Sequence, residues 1–142
     1  MSCVFCEIVA GKSPASIICQ DEHVMAFMST RPTSPGECLV IPKAHIDHFT
    51  DVDDATAQRI IVAAQRIGRR LRTVFQPLRV GMVVHGFGVP HAHLIVVPQH
   101  GIHNITSDRY MAVEDGQLVF SQGRIAAPER STLDEHARLL AE

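Results

Sequence analysis

The chain has 142 residues, 46% of them hydrophobic and 20% charged, which suits one folding unit and excludes a disordered chain or a collagen-type repeat. A formal net charge of -2 excludes the basic field that wraps duplex nucleic acid or docks on an acidic membrane surface. No apolar run approaches the roughly 20 residues needed to cross a bilayer, so no membrane partner is expected. The opening MSCVFCEIVAGKSP has no basic stretch ahead of an apolar one, so the expected address is cytoplasmic. There the four cysteines read as thiols or metal ligands rather than disulfides.

In chain order, residues 1–11 read as a helical turn or loop closing at Gly11. Ile17 to Cys19 and Val24 to Met28, joined by the polar Gln20-Asp21-Glu22-His23, predict a hairpin. Cys38 to Ile41 predicts a third strand stopped by Pro42. Asp53-Asp54 marks a helix start, and Ile60, Ala64, Ile67, Leu71 and Val74 recur at spacings of three and four on one helical face before Pro77. Val80 to Val84 and His91 to Val97 read as strands around the connection Gly86-Phe87-Gly88-Val89-Pro90. Gln117 to Ser121 offers one more strand, and Ser131 to Ala141 a terminal helix capped by Ser131, with Leu133, Ala137 and Leu140 on one side. Cys19 and Cys38 read as small buried hydrophobes. One long helix amid short strands that turn straight back predicts an α+β fold with a mostly antiparallel sheet. No repeat or linker divides the chain, so residues 1–142 are read as a single domain with a C-terminal extension from about residue 99.

The most informative segment is His91-Ala92-His93-Leu94-Ile95-Val96-Val97. Strand alternation would place Ala92, Leu94 and Val96 on the core side and both imidazoles on the other. Paired imidazoles suit a nucleophile, an acid–base group or a metal ligand, and the plainer alternative is two solvated strand residues. Gly86 and Gly88 lack side chains where backbone N–H groups could meet an anion such as phosphate. Cys3 and Cys6 form a C-x-x-C, half of a zinc site by spacing, with unpaired thiols as the alternative.

Together these segments resemble the histidine triad (HIT) family over roughly residues 3–98. Cys3-Val4-Phe5-Cys6-Glu7-Ile8 through Pro14-Ala15 is similar to its opening C-x-F-C-x-I-x-x-G-x-x-P-A. Pro35-Gly36-Glu37 through Leu39-Val40-Ile41-Pro42-Lys43-Ala44-His45 is similar to its P-G-H-x-L-V-I-P-K-x-H stretch, with Glu37 in place of a histidine. Gly86-Phe87-Gly88-Val89-Pro90-His91-Ala92-His93 is similar to the G-F-x-V-P-H-x-H of a bacterial branch. The resemblance implies a homodimer whose subunits each hold an antiparallel sheet of about five strands with two main helices. It implies hydrolysis or transfer of nucleoside monophosphates from phosphoramidates, dinucleoside polyphosphates or acyl-adenylates, with His93 as nucleophile at the α-phosphorus. The nucleotide-binding positions it implies are Phe5, Ile8, Phe27, Met28, Ser29, Gly86, Gly88, Val89 and His91. It also implies a structural Zn2+ held by Cys3, Cys6, His45 and His91.

Three positions depart from the family pattern. Ile95 replaces the third triad histidine and offers no hydrogen-bond donor. Ser29 and Thr30 stand where relatives carry Asp (or Asn) and Ile for ribose recognition. Gly88 replaces a side chain that relatives use near the phosphate. The alternative function is therefore a nucleotide-binding or regulatory module with weak or lost catalysis. Of the remaining histidines, His23, His48 and His136 are expected at the surface, and His85 beside the glycine turn is a weaker phosphate candidate.

Overall fold

A computed structural model describes residues 2–106, 111–120 and 125–142. The elements run α1 (Val4–Val9), β1 (Ile17–Gln20), β2 (Val24–Met28), β3 (Cys38–Pro42), α2 (Asp54–Val74), β4 (Arg79–Val83), β5 (Leu94–Gln99), α3 (His103–Thr106), β6 (Met111–Glu114), β7 (Gln117–Phe120) and α4 (Arg130–Ala141). The first five strands form one antiparallel sheet in the order β1-β2-β3-β5-β4, and β6 pairs with β7 in a separate hairpin. This is the α+β architecture expected, with α2 and α4 as its main helices. Among the described residues no helix is long and apolar enough to cross a membrane.

The alternation of each strand divides its side chains between two clusters. Val24, Ala26 and Met28 of β2, Cys38 and Val40 of β3, and Leu94 and Val96 of β5 pack with Ile60, Ala64, Ile67 and Leu71 of α2 and Leu133, Ala137 and Leu140 of α4. On the opposite face, Met25, Phe27 and Ile41 pack with Cys3, Phe5 and Ile8 around the short α1. α2 begins where Asp53 accepts a hydrogen bond from the Thr56 amide at 2.9 Å, satisfying a donor that the first helical turn leaves unpaired. Val74, the last residue of the expected apolar face, is only partly buried.

Several local readings change. The helix at the C-terminus starts one residue earlier, at Arg130, with Glu129 rather than Ser131 at its cap and no side-chain capping bond. Cys19 is exposed while Cys38 is buried. β1 has a register shift between Ile17 and Cys19 and turns only Ile18 inward, so Cys19 faces out. His136 is half-buried, its ring 4.9 Å from Phe75 in an edge-on contact. β7 ends the expected strand at Phe120, and Ser121 lies outside the described residues.

Candidate metal centre and nucleophile site

The strand expected from His91 begins only at Leu94 and runs to Gln99. The reason lies in where the backbone donors go. Pro90 has none, the His91 amide turns back to the Val89 carbonyl at 2.8 Å, and the Ala92 amide reaches the Ile46 carbonyl at 2.6 Å. These bonds hold His91 and His93 ahead of the ladder, and both are buried, His93 retaining 8% exposure. Pro98 does not end the strand, because it lies beyond the last β3 pair, Cys38 with Val96, where a missing N–H costs no bond to that neighbour.

His91 joins the N-terminal cysteines. Its Nδ1 lies 3.5 Å from Cys3 Sγ and 3.6 Å from Cys6 Sγ, and His45 Nδ1 lies 3.2 Å from Cys6 Sγ. The donor atoms of Cys3, Cys6, His45 and His91 all fall within 4.8 Å of one another. A tetrahedral zinc with arms of about 2.3 Å to sulfur and 2.1 Å to nitrogen has S···N edges of about 3.6 Å, so the cluster has the size such an ion requires. Two thiols aimed at one imidazole lone pair cannot both be well bonded by S–H groups, whereas one cation serves all four donors. His91 Nε2 donates to the Pro42 carbonyl at 2.8 Å, leaving Nδ1 unprotonated toward the cluster, the orienting bond that metal-bound histidines usually make. Burial holds the His91 imidazole below its ordinary range, which favours the neutral ring a metal needs. Cys6 and His45 sit on the exposed rim, Cys3 and His91 inside. His48 is outside the cluster.

His93 lies behind this centre. Its Nδ1 is 2.7 Å from the His91 carbonyl oxygen, and a carbonyl only accepts, so Nδ1 carries the hydrogen and Nε2 keeps its lone pair. One residue therefore supplies a donor to the cluster through its ring and orients His93 through its backbone. Phe5 meets both rings edge-on, 5.7 Å from His91 and 5.4 Å from His93, and also stands 5.3 Å from Phe27. The motif spacing does not show this wedge; it follows from α1 folding back on the sheet.

The remaining positions implied by the resemblance divide. Phe5, Ile8 and Phe27 share the cluster on the His93 side, with Val89 packed at its border. Met28 does not: adjacent to Phe27 in a strand, it points to the other face and lies in the core under α2 and α4, which removes it from the pocket set. Ser29 is tied to Glu37 through the backbone, its amide donating to the Glu37 carbonyl at 3.0 Å. Gly86 and Gly88 have φ of 83° and 96°, and nothing lies within 4 Å of where a Cβ would stand. That backbone suits glycine and leaves the turn open to a ligand. His85 is exposed beside it. Ile95 pairs between Leu39 and Val83, and all three are half-buried, an apolar shelf where the family carries a histidine. Two surface hollows, of about 440 and 470 Å³, are lined by Arg69, Arg72, Thr73, Gln76 and Pro77 and by residues that include Cys19, Asp21, Arg59 and Arg66; neither includes His93.

The HIT domain profile matches residues 10–102. The chain belongs to the HIT family. It is 33% identical to the Protein hit of Bacillus subtilis over 105 residues, covering 70% of this chain and 72% of that one. It is also 33% identical to the adenosine 5'-monophosphoramidase of Schizosaccharomyces pombe over 103 residues, 70% of this chain and 75% of the yeast protein. Among solved structures, a Zn-bound histidine triad family protein from Mycobacterium smegmatis superposes with a TM-score of 0.73 at 31% identity, covering 99% of this chain and 91% of that one. The sequence reading missed Glu37 as a buried hub, although its alternation with Leu39 and Ile41 would place it on the same face as the shelf.

Proposed function

We propose that this HIT family protein is a nucleotidyl hydrolase or transferase that works through His93 and is braced by a structural zinc. The observation that carries the reading is the Nδ1 contact of His93 with the His91 carbonyl, which leaves Nε2 as a neutral nucleophile. In the first step Nε2 bonds to the α-phosphorus of a nucleoside phosphoramidate, dinucleoside polyphosphate or acyl-adenylate, and the bond to the amine, polyphosphate or carboxylate breaks. Water then attacks the nucleotidyl-histidine, the P–N bond breaks, and the neutral ring returns. The amides of the Gly86–Gly88 turn stand in for charge on the phosphate oxygens. Cys3, Cys6, His45 and His91 hold the zinc; four protein donors leave no open position, so its contribution is structural. Phe5, Ile8, Phe27 and Val89 line the base side. The yeast relative, named as a phosphoramidase, and the Zn-bound mycobacterial relative support this reading.

Residues 1–142 act as one domain in this view, since α4 packs into the main core. The chain works as a homodimer in the cytoplasm. The edge strand β4, which exposes Met82, supports pairing with a second copy, and the free cysteines suit a reducing compartment. A second reading, a nucleotide-binding module without turnover, is favoured by one observation: Ile95 on the shelf supplies no donor.

Incubation with adenosine 5'-phosphoramidate, followed by mass spectrometry, separates them. An adenylyl adduct on His93, absent in His93→Ala, is expected. Nucleotide binding without any adduct would establish the module instead.

A further inference from the structure

The loop between β2 and β3 meets the segment after β5 at the end of the sheet face that carries the shelf. Glu37 is buried there, 7% exposed, and the pairing of Cys38 with Val96 sets it beside Val97. Its carboxyl meets the Thr33 hydroxyl at 2.8 Å and, at 3.5 Å, the Thr33 amide. Thr33 Oγ1 also lies 2.9 Å from the Asn104 carbonyl oxygen. A threonine hydroxyl has one hydrogen, and a carbonyl has none to give. Both short contacts are satisfied together only when the hydrogen between Glu37 and Thr33 comes from Glu37.

Beyond Thr33 the chain of bonds continues into the post-β5 segment. Asn104 is buried, and its Oδ1 accepts from the His100 amide at 2.8 Å and the Gly101 amide at 3.1 Å. Its Nδ2 returns to the Thr33 carbonyl at 3.5 Å, and the Ser34 hydroxyl donates to the Pro98 carbonyl. The next residue of α3, Ile105, presses on β4 so closely that its Cδ1 leaves no room for a Cβ on Gly81. The segment is thus seated on the sheet by Asn104 and Ile105, and Asn104 is held by Thr33.

We propose that Glu37 is a neutral carboxylic acid and a positioning residue: its O–H donates to Thr33 Oγ1, whose own hydrogen holds the Asn104 carbonyl and so seats residues 100–106. The surroundings are consistent with this from each side. On β3 the neighbouring group is the Cys38 thiol, pushed far up by burial and therefore uncharged. On the β2–β3 loop Arg31 turns away, donating to the Ile125 carbonyl at 2.9 Å. On the post-β5 segment His100 and His103 are exposed. No cation pairs with Glu37 among the described residues. Burial pushes its carboxyl up, against the opposing pull of the bonds from Thr33. When Glu37 ionises, the Thr33 hydrogen turns to the carboxylate, the Asn104 carbonyl loses its donor, and the segment loosens.

The test follows the Glu37 carboxyl by 13C NMR in the full chain and, in parallel, amide-exchange protection at His100 and Gly101. The proteins compared are the unmodified chain, Glu37→Gln and Glu37→Leu. Gln keeps a donor at the same place and cannot ionise. Glu37 is expected to titrate above the surface glutamates. Protection at His100 and Gly101 falls about tenfold through that midpoint, the size of one lost buried hydrogen bond, and stays flat in Glu37→Gln. Titration alongside the surface glutamates would overturn the proposal. So would loss of protection in Glu37→Gln, because the group would then act as a charged acceptor. If Glu37→Leu fails to fold, the titration and the Gln variant still decide.

Discussion

If Cys3, Cys6, His45 and His91 hold a zinc ion, chelation should lower the melting temperature by a calculable amount. Cys3 and His91 are interior, Cys6 and His45 are on the rim, and Cys3 belongs to the same apolar cluster as Phe5, Ile8, Met25, Phe27 and Ile41. Removing a zinc held by these four residues would leave the buried Cys3 thiol and His91 imidazole without a shared partner. Free zinc at about a thousand times its dissociation constant stabilises the folded chain by about 4.1 kcal/mol. Unfolding entropy near 2.1 cal/mol/K per residue gives about 0.3 kcal/mol/K for a chain of this length. Stripping the metal should therefore lower Tm by about 14 °C. Scanning calorimetry with and without a chelator, alongside elemental analysis, measures it, and Cys6→Ser should lose most of the shift. Well under one zinc per chain as purified, or the same Tm with and without chelator, would refute the four-ligand centre.

Other expectations concern the core and the pH dependence of stability. Leu71 is fully buried between α2 and the sheet, so Leu71→Ala should cost about 2–5 kcal/mol in denaturant unfolding. An unchanged midpoint would show that α2 does not carry the core. Burial against Phe75 holds the His136 imidazole below its ordinary value of 6.5, so the folded chain binds its proton less readily than the unfolded one. The stability it contributes is full above pH 6.5 and is lost as pH falls through the lower folded value. His136→Phe should flatten that part of the stability–pH curve, measured as a difference from the unmodified chain. An identical slope in both proteins would remove His136 as its source.

Much of the fold is legible because local chemistry and burial agree in it. The 3.6-residue recurrence of Ile60, Ala64, Ile67 and Leu71, the Asp53 cap, and the hairpin ending in Val24 to Met28 all reappear as read. The histidine segment is where they disagree. Its alternation correctly assigns Ala92, Leu94 and Val96 to the core, yet His91 and His93 stand outside the ladder because the His91 amide is taken up by the Val89 carbonyl and the Ala92 amide by the Ile46 carbonyl. Met28 and Cys19 show the same limit at single positions, since an apolar residue in a short strand does not announce which face it takes. A bulge in β1 decides that for Cys19, and the strict alternation of β2 decides it for Met28.

What the amino-acid order determined unaided was chemical inventory and periodicity: which residues can ligate, attack or cap, and which share a helical face. Tertiary packing decided how those groups meet. Cys3 and His91 are 88 positions apart and come within 3.5 Å only because α1 folds back on the sheet. Thr33 and Asn104, 71 positions apart, share a hydrogen for the same kind of reason. Distances of that kind are set by the simultaneous burial of many side chains, and no local pattern encodes them.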